Sequence, residues 1–117
     1  MNIQIFGIKK CFDTKKAERY FKERKIKYQL IDLTLKGLSK GELQSVRDAV
    51  GLNNLINSQS KDYKKLNLDR IYSTNMREEI LLNNPSLYKT PIVRNGKKAT
   101  VGYAPDIWKN WEDNIDK

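Results

Sequence analysis

Asn2-Ile3-Gln4-Ile5-Phe6-Gly7-Ile8-Lys9-Lys10-Cys11-Phe12-Asp13-Thr14-Lys15-Lys16-Ala17 is the stretch whose reading decides the fold. Residues 2–6 predict a strand. Their poor alternation of apolar and polar side chains is that of a strand covered on both faces. Residues 7–10 predict a loop, and a helix follows over about 14–24 with Asp13 as its cap. Ala17, Tyr20, Phe21 and Arg24 recur at three- and four-residue spacing and mark its inner stripe. Cys11 therefore stands where a strand gives way to a basic helix, and it is the only cysteine of the chain. A thiol there faces the positive end of the helix dipole and the free N–H groups of the first turn. Lys9, Lys10, Lys15 and Lys16 surround it in sequence. That environment draws a cysteine toward the thiolate at neutral pH. A second reading stays open at this point, a buried and inert small hydrophobe.

Working outward, residues 27–33 form a second strand, so the chain opens β-α-β with two parallel strands. Helical pattern then runs for about fifty residues. Ser39-Lys40-Gly41-Glu42 is a capping box ahead of Leu43, Val46, Ala49 and Val50, and Gly51 fits the helix stop. Residues 52–56 form a short turn, and residues 60–66 carry Tyr63 and Leu66 inward. A helix from about Thr74 carries Met76, Ile80 and Leu81 and ends before Pro85. Strand pattern resumes at residues 90–94. Asn95-Gly96 predicts a type I′ hairpin turn into a strand over 97–101. Ala104-Pro105-Asp106 opens the last helix, with Ile107, Trp108, Trp111 and Ile115 on its apolar side. Of the two tryptophans one is expected in the core and the other at its rim, with Tyr63 and Tyr103 as packing residues. The order β-α-β, helical insert, β-β-α gives an α/β fold. Its framework is a thioredoxin-like, glutaredoxin-type mixed four-stranded sheet with an all-helical insert, about residues 36–88, between strands 2 and 3. Residues 1–117 are expected to form one domain.

The net charge is +9, from 23 Lys and Arg against 14 Asp and Glu. The lysines are dispersed over helix faces, without a basic tail or a stacking-aromatic motif, so specific nucleic-acid binding is not expected. With no histidine in the chain, Cys-His and Ser-His-Asp catalysis and histidine metal sites are excluded, and no metal site is expected. No window is apolar for long enough to span a bilayer, and no leader pattern precedes residue 2. With one cysteine and no internal disulfide, these features fit a monomer in a reducing cytoplasm.

Four collinear segments carry a resemblance that covers essentially the whole chain. They are Gly7-Ile8-Lys9-Lys10-Cys11 with Lys15-Lys16-Ala17, Asn57-Ser58-Gln59-Ser60-Lys61 with Tyr63, Leu66 and Leu68, Thr90-Pro91-Ile92-Val93, and Val101-Gly102-Tyr103. Together they resemble the arsenate-reductase-like and Spx-like (ArsC) family of the thioredoxin fold. The resemblance implies that Pro91 is the fold's cis-proline, packed across from the cysteine loop, and that the backbone of Thr90 pairs with a thiol substrate.

The departures limit what carries over. Many Spx-like members have a second cysteine where this chain has Thr14, so a disulfide switch within the chain cannot form. The single-cysteine pattern is that of the glutathione-coupled arsenate reductases, where three arginines hold the oxyanion. Here those positions fall on Asn57 or Gln59, on Thr90, and near Gly102. Losing a single oxyanion donor costs about 3–4 kcal/mol of barrier, so efficient arsenate reduction is not expected. On this reading Cys11 is the nucleophile of a thiol-dependent oxidoreductase. Phe12, Asp13 and Thr14 stabilise the thiolate, and Lys10 and Lys15 supply positive field for a carboxylate-bearing thiol. Thr90, Pro91, Asn57, Gln59 and Lys89 form the thiol-binding side. No cofactor is bound, and glutathione or glutaredoxin is the implied thiol partner. The alternative is a regulator that binds the C-terminal domain of the RNA polymerase alpha subunit, with Gly51 near that contact.

Overall fold

The computed structural model describes residues 1–114. Strands β1 (Ile3–Gly7), β2 (Tyr28–Asp32), β3 (Ile92–Asn95) and β4 (Lys98–Val101) form one sheet in the order β2-β1-β3-β4. β1 and β2 are parallel, with Ile5 opposite Leu30, and β3 runs antiparallel to both β1 and β4. The helices are α1 (Phe12–Glu23), α2 (Lys40–Val50), α3 (Leu52–Leu55), α4 (Lys61–Lys65), α5 (Thr74–Asn83) and α6 (Pro105–Asp113). This is the expected thioredoxin-like mixed sheet, with α2–α5 inserted between β2 and β3.

The central strands bury both faces, as the sequence of β1 requires. Ile3, Ile5 and Val93 pack with Ala17, Phe21 and Trp108 of α1 and α6. Phe6 and Ile92 point the other way, into the insert's core with Leu43, Val46, Leu55 and Leu87. Two apolar layers thus meet across one sheet, and each large buried side chain contributes about 1.5–3 kcal/mol.

α1 begins two residues before the predicted start. Its N-cap is Cys11, which makes no side-chain capping bond, and Asp13 lies in the first turn rather than at the cap. The inner stripe is Thr14, Ala17, Tyr20 and Phe21. Arg24 is outside it, stacked 3.7 Å over the Tyr20 ring, because a guanidinium can cover an aromatic face while staying hydrated.

The capping box forms as read. Ser39 Oγ accepts from the Glu42 N–H at 3.2 Å, and Glu42 Oε1 accepts from the Ser39 N–H at 2.8 Å. Gly51 ends α2 at φ +88°, a backbone conformation that glycine adopts without penalty. Val50 packs half-buried against the insert core, whereas Ala49 is exposed and Met76 is 55% exposed, against the inward positions expected of them. α5 carries no single apolar stripe. Leu81 anchors it, with Ile80 half-buried, and polar bonds do the rest. Arg77 donates to the Leu68 carbonyl and to Asn53 Oδ1, each at 3.0 Å, and Glu78 pairs with Arg47 of α2.

In the hairpin, Asn95 pairs with Lys98, so the two turn residues are Gly96 and Lys97. Gly96 has φ +60°, and Lys97 is not among the positive-φ residues. The turn is therefore of the II′ kind, with glycine at its first central position, rather than I′.

Both tryptophans of α6 are core residues. Trp108 is fully buried and donates from Nε1 to Thr100 Oγ1 at 2.8 Å, and Trp111 is 6% exposed. Ile107, expected on the apolar side, is exposed, and Ile115 lies outside the described residues. Tyr63 packs half-buried against the insert core, whereas Tyr103 is largely exposed with its ring edge-on to Trp108. Among the described residues, no helix is long and apolar enough to cross a membrane.

Candidate functional site

The loop after β1 turns through Ile8–Cys11, closed by the Cys11 N–H donating to the Ile8 carbonyl at 3.1 Å. Cys11 has extended backbone (φ −84°, ψ 118°), and its carbonyl accepts the first α1 bond from the Lys15 N–H at 3.2 Å. The sulfur therefore sits at the open end of the helix, half-exposed, with the first-turn amides beside it.

Across from it stands the Thr90–Pro91 segment, whose peptide bond is cis, as the resemblance implied. Pro91 is buried. Sγ–H donates to the Thr90 carbonyl at 3.6 Å. Two backbone bonds bring the neighbouring residues to the same place. Asn57 N–H donates to the Leu87 carbonyl at 2.7 Å, and Lys89 N–H donates to the Leu55 carbonyl at 2.8 Å. They flank the single bridge between Ile56 and Tyr88. Pairing the insert to the segment before β3 in this way delivers Asn57, Lys89 and Thr90 to one wall.

Those residues line an open cleft of about 870 Å³ that also contains Cys11 and Asp13. Apart from Asn54, its remaining lining is small or apolar, including Ala49 and Val50 of α2, Val101 of β4, and Gly102 and Ile107. Lys89 is the one cation among these lining residues and Asp13 the one carboxylate; no arginine lines the cleft. Arg94, the arginine nearest in sequence, does not line the cleft; it donates to Gln4 Oε1 at 2.9 Å and to Ser45 Oγ at 3.3 Å.

Burial pushes the Cys11 thiol up, but hydrogen bonds outweigh it. The Thr14 hydroxyl, the Thr90 side chain, and the Thr14 and Asp13 N–H groups together hold its pKa below the ordinary thiol value. Thr14 Oγ1 is buried and has no hydrogen-bond partner of good geometry. Neither the lysines nor the Asp13 carboxylate figures among the causes of this shift.

The other expected site residues fall elsewhere. Lys15 lies 5.7 Å over the Phe12 ring, which is 77% exposed beside the cleft, and the Phe12 N–H does not contribute to the sulfur's shift. Lys10 is exposed on the loop. Gln59 is exposed outside the cleft, its N–H donating to Asn57 Oδ1 at 3.0 Å. Gly51 is exposed one residue past the cleft-lining Val50. Sequence reasoning missed Asn54, Ala49, Ala104 and Ile107. No motif marks them: Ala49 comes with α2, which packs across β4, and Asn54 with α3, which packs on α2, while Ala104 and Ile107 follow β4 at the start of α6. Among the described residues, no group of three or more His, Cys, Asp or Glu could hold a metal ion.

The ArsC family model matches residues 6–111. The chain is 32% identical over 110 residues to the global transcriptional regulator Spx 2 of Oceanobacillus iheyensis, covering 91% of this chain and 80% of that protein. It is 29% identical over 108 residues to the global transcriptional regulator Spx of Staphylococcus aureus, covering 89% and 82%. Its fold matches that of the arsenate reductase from Vibrio cholerae with a TM-score of 0.83 over 94% of this chain and 97% of that one, at 22% identity.

Proposed function

The chain belongs to the ArsC family, and on that premise we propose that it is a thiol-dependent oxidoreductase whose single nucleophile is the Cys11 thiolate. The observation that carries this is a half-exposed sulfur in an open cleft, its charged form favoured by the amides and hydroxyls of one helix turn and of Thr90. The thiolate attacks one sulfur of a disulfide. A bond forms between Cys11 Sγ and that sulfur, the old S–S bond breaks, and the other sulfur departs as a thiolate that takes up a proton. An external thiol such as glutathione, or a glutaredoxin, then attacks the mixed disulfide and releases Cys11. Because position 14 is threonine, the resolving sulfur comes from outside the chain. The Thr90 backbone pairs with the incoming thiol, while Asn57 and Lys89 line its path and Lys89 supplies the positive charge for a carboxylate. Arsenate is a poor substrate on this reading, because the cleft lining offers one lysine and no arginine fork to a dianionic oxyanion.

Incubation with the mixed disulfide between glutathione and a small thiol, with free glutathione as reductant, tests the proposal. Turnover is expected with the native chain and none above the uncatalysed rate with Cys11→Ser. Equal rates in the two would refute it.

A second reading is favoured by the identity to Spx regulators and by the exposed Gly51 at the end of α2. In it, the chain binds the RNA polymerase alpha subunit through that surface. Immobilised alpha C-terminal domain should then retain the native chain and lose Gly51→Arg. Failure to retain the native chain removes this reading.

A further inference from the structure

Gly7 closes β1 directly beneath the first turn of α1. A Cβ built there would lie 2.5 Å from both Cγ2 and Oγ1 of Thr14 and 3.1 Å from its Cβ. The two contacts at 2.5 Å do not occur between real atoms, and all three involve a short, branched, 1% exposed side chain that cannot swing clear. The backbone of Gly7 is not in the left-handed region. What the position requires is the lack of a side chain.

Thr14 is the residue that this gap admits. Its hydroxyl is buried with no partner, a state that is costly to leave unmet. Three residues back on the same helix face stands Cys11, within reach of an i, i+3 pair. The charged side chains that share the cleft with the sulfur are Asp13 of α1 and Lys89 of the segment before β3; Lys9 and Lys10 adjoin it in sequence on the loop. The α2 and α3 residues that line the cleft, Ala49, Val50 and Asn54, carry no charge.

We propose that Gly7 is a positioning residue for the thiol chemistry: carrying no side chain, it seats Thr14 so that the buried hydroxyl donates its hydrogen bond to the Cys11 thiolate. In this arrangement Thr14, which occupies the place of a resolving cysteine in two-cysteine relatives, activates the sulfur instead of oxidising with it. The inference rests on the reading of Cys11 as the nucleophile and names the device that makes it one.

The test is the pH profile of Cys11 alkylation by iodoacetamide across variants that circular dichroism shows to be folded. In Thr14→Val the midpoint should rise and the rate at pH 7 fall about tenfold, the size expected for losing one hydrogen bond to a charge. Thr14→Ser should keep the native profile. Gly7→Ala should behave like Thr14→Val. Gly7→Ala/Thr14→Ala should match Thr14→Ala, since Cγ2 and Oγ1, each 2.5 Å from the added Cβ, are then both gone and Gly7 acts only through them. Should Gly7→Ala alone fail to fold, that double variant against Thr14→Ala decides, and a midpoint that differs between the two overturns the proposal. A low native midpoint that Thr14→Val leaves in place overturns this inference alone. A native midpoint at the ordinary thiol value overturns the functional reading with it.

Discussion

A charge favoured by the folded state is also a contribution to folding. The Cys11 thiol is held below its ordinary value of 9.0 by hydrogen bonds that the unfolded chain lacks. A group whose pKa is depressed on folding contributes stability above its unfolded value and loses it as pH falls through its folded value. The native chain should therefore gain in melting temperature over Cys11→Ser as pH rises toward 9.0 and hold that gain above it. Thermal melts of the two proteins along a pH series check this, and a gap that does not change with pH would contradict it. The cysteine's importance was legible from its position between a strand and a basic helix. The source of its activation was not. The lysines crowd Cys11 in sequence, yet Lys15 lies over Phe12, and the groups that act on the sulfur are the Thr14 and Thr90 side chains and two amides. Sequence adjacency measures charge along the chain, whereas a pKa answers to atoms within hydrogen-bond reach.

At the scale of single elements, local chemistry decides where helices begin and end. The Ser39 capping box satisfies two first-turn donors of α2 at once. Ser39→Ala should cost about 1 kcal/mol, read as a lower urea midpoint with unchanged slope. Because the C-terminal end of α2 supplies Ala49 and Val50 to the cleft, fraying of this helix would also loosen that wall. The box, the glycine stop at Gly51 and the proline start of α6 were all readable, since each is a short-range backbone requirement written in one or two residues. α5 was readable as a helix, with Ile80 and Leu81 inward as expected and Met76 exposed. Its hold on the fold passes through Arg77 and Glu78, whose partners Leu68, Asn53 and Arg47 come from elsewhere in the chain. The hairpin turn differs from expectation by one residue of register. Asn95 belongs to the β3–β4 ladder, which shifts glycine into the first turn position.

Across the whole molecule, the sheet order places the Cys11 loop, the cis Thr90–Pro91 bond and the paired segments at Asn57 and Lys89 around one cleft. These residues are up to about eighty positions apart, and the family motifs brought them together in the sequence reading before any contact was visible. The walls from α2 and α6 were invisible to it, because Ala49 and Ile107 reach the cleft by packing alone. The composition of those walls sets the substrate range. With glutathione and glutaredoxin supplied in excess, arsenate reduction should stay at the background rate, and robust turnover would show that a lysine and backbone groups suffice to hold the oxyanion.

The central claim is that the folded chain favours the Cys11 thiolate by holding its pKa below the ordinary thiol value, and the ultraviolet absorbance of the thiolate, titrated against pH with Cys11→Ser as the blank, measures it directly. The account predicts a midpoint below the ordinary thiol value of 9.0. A midpoint at or above that value would contradict it.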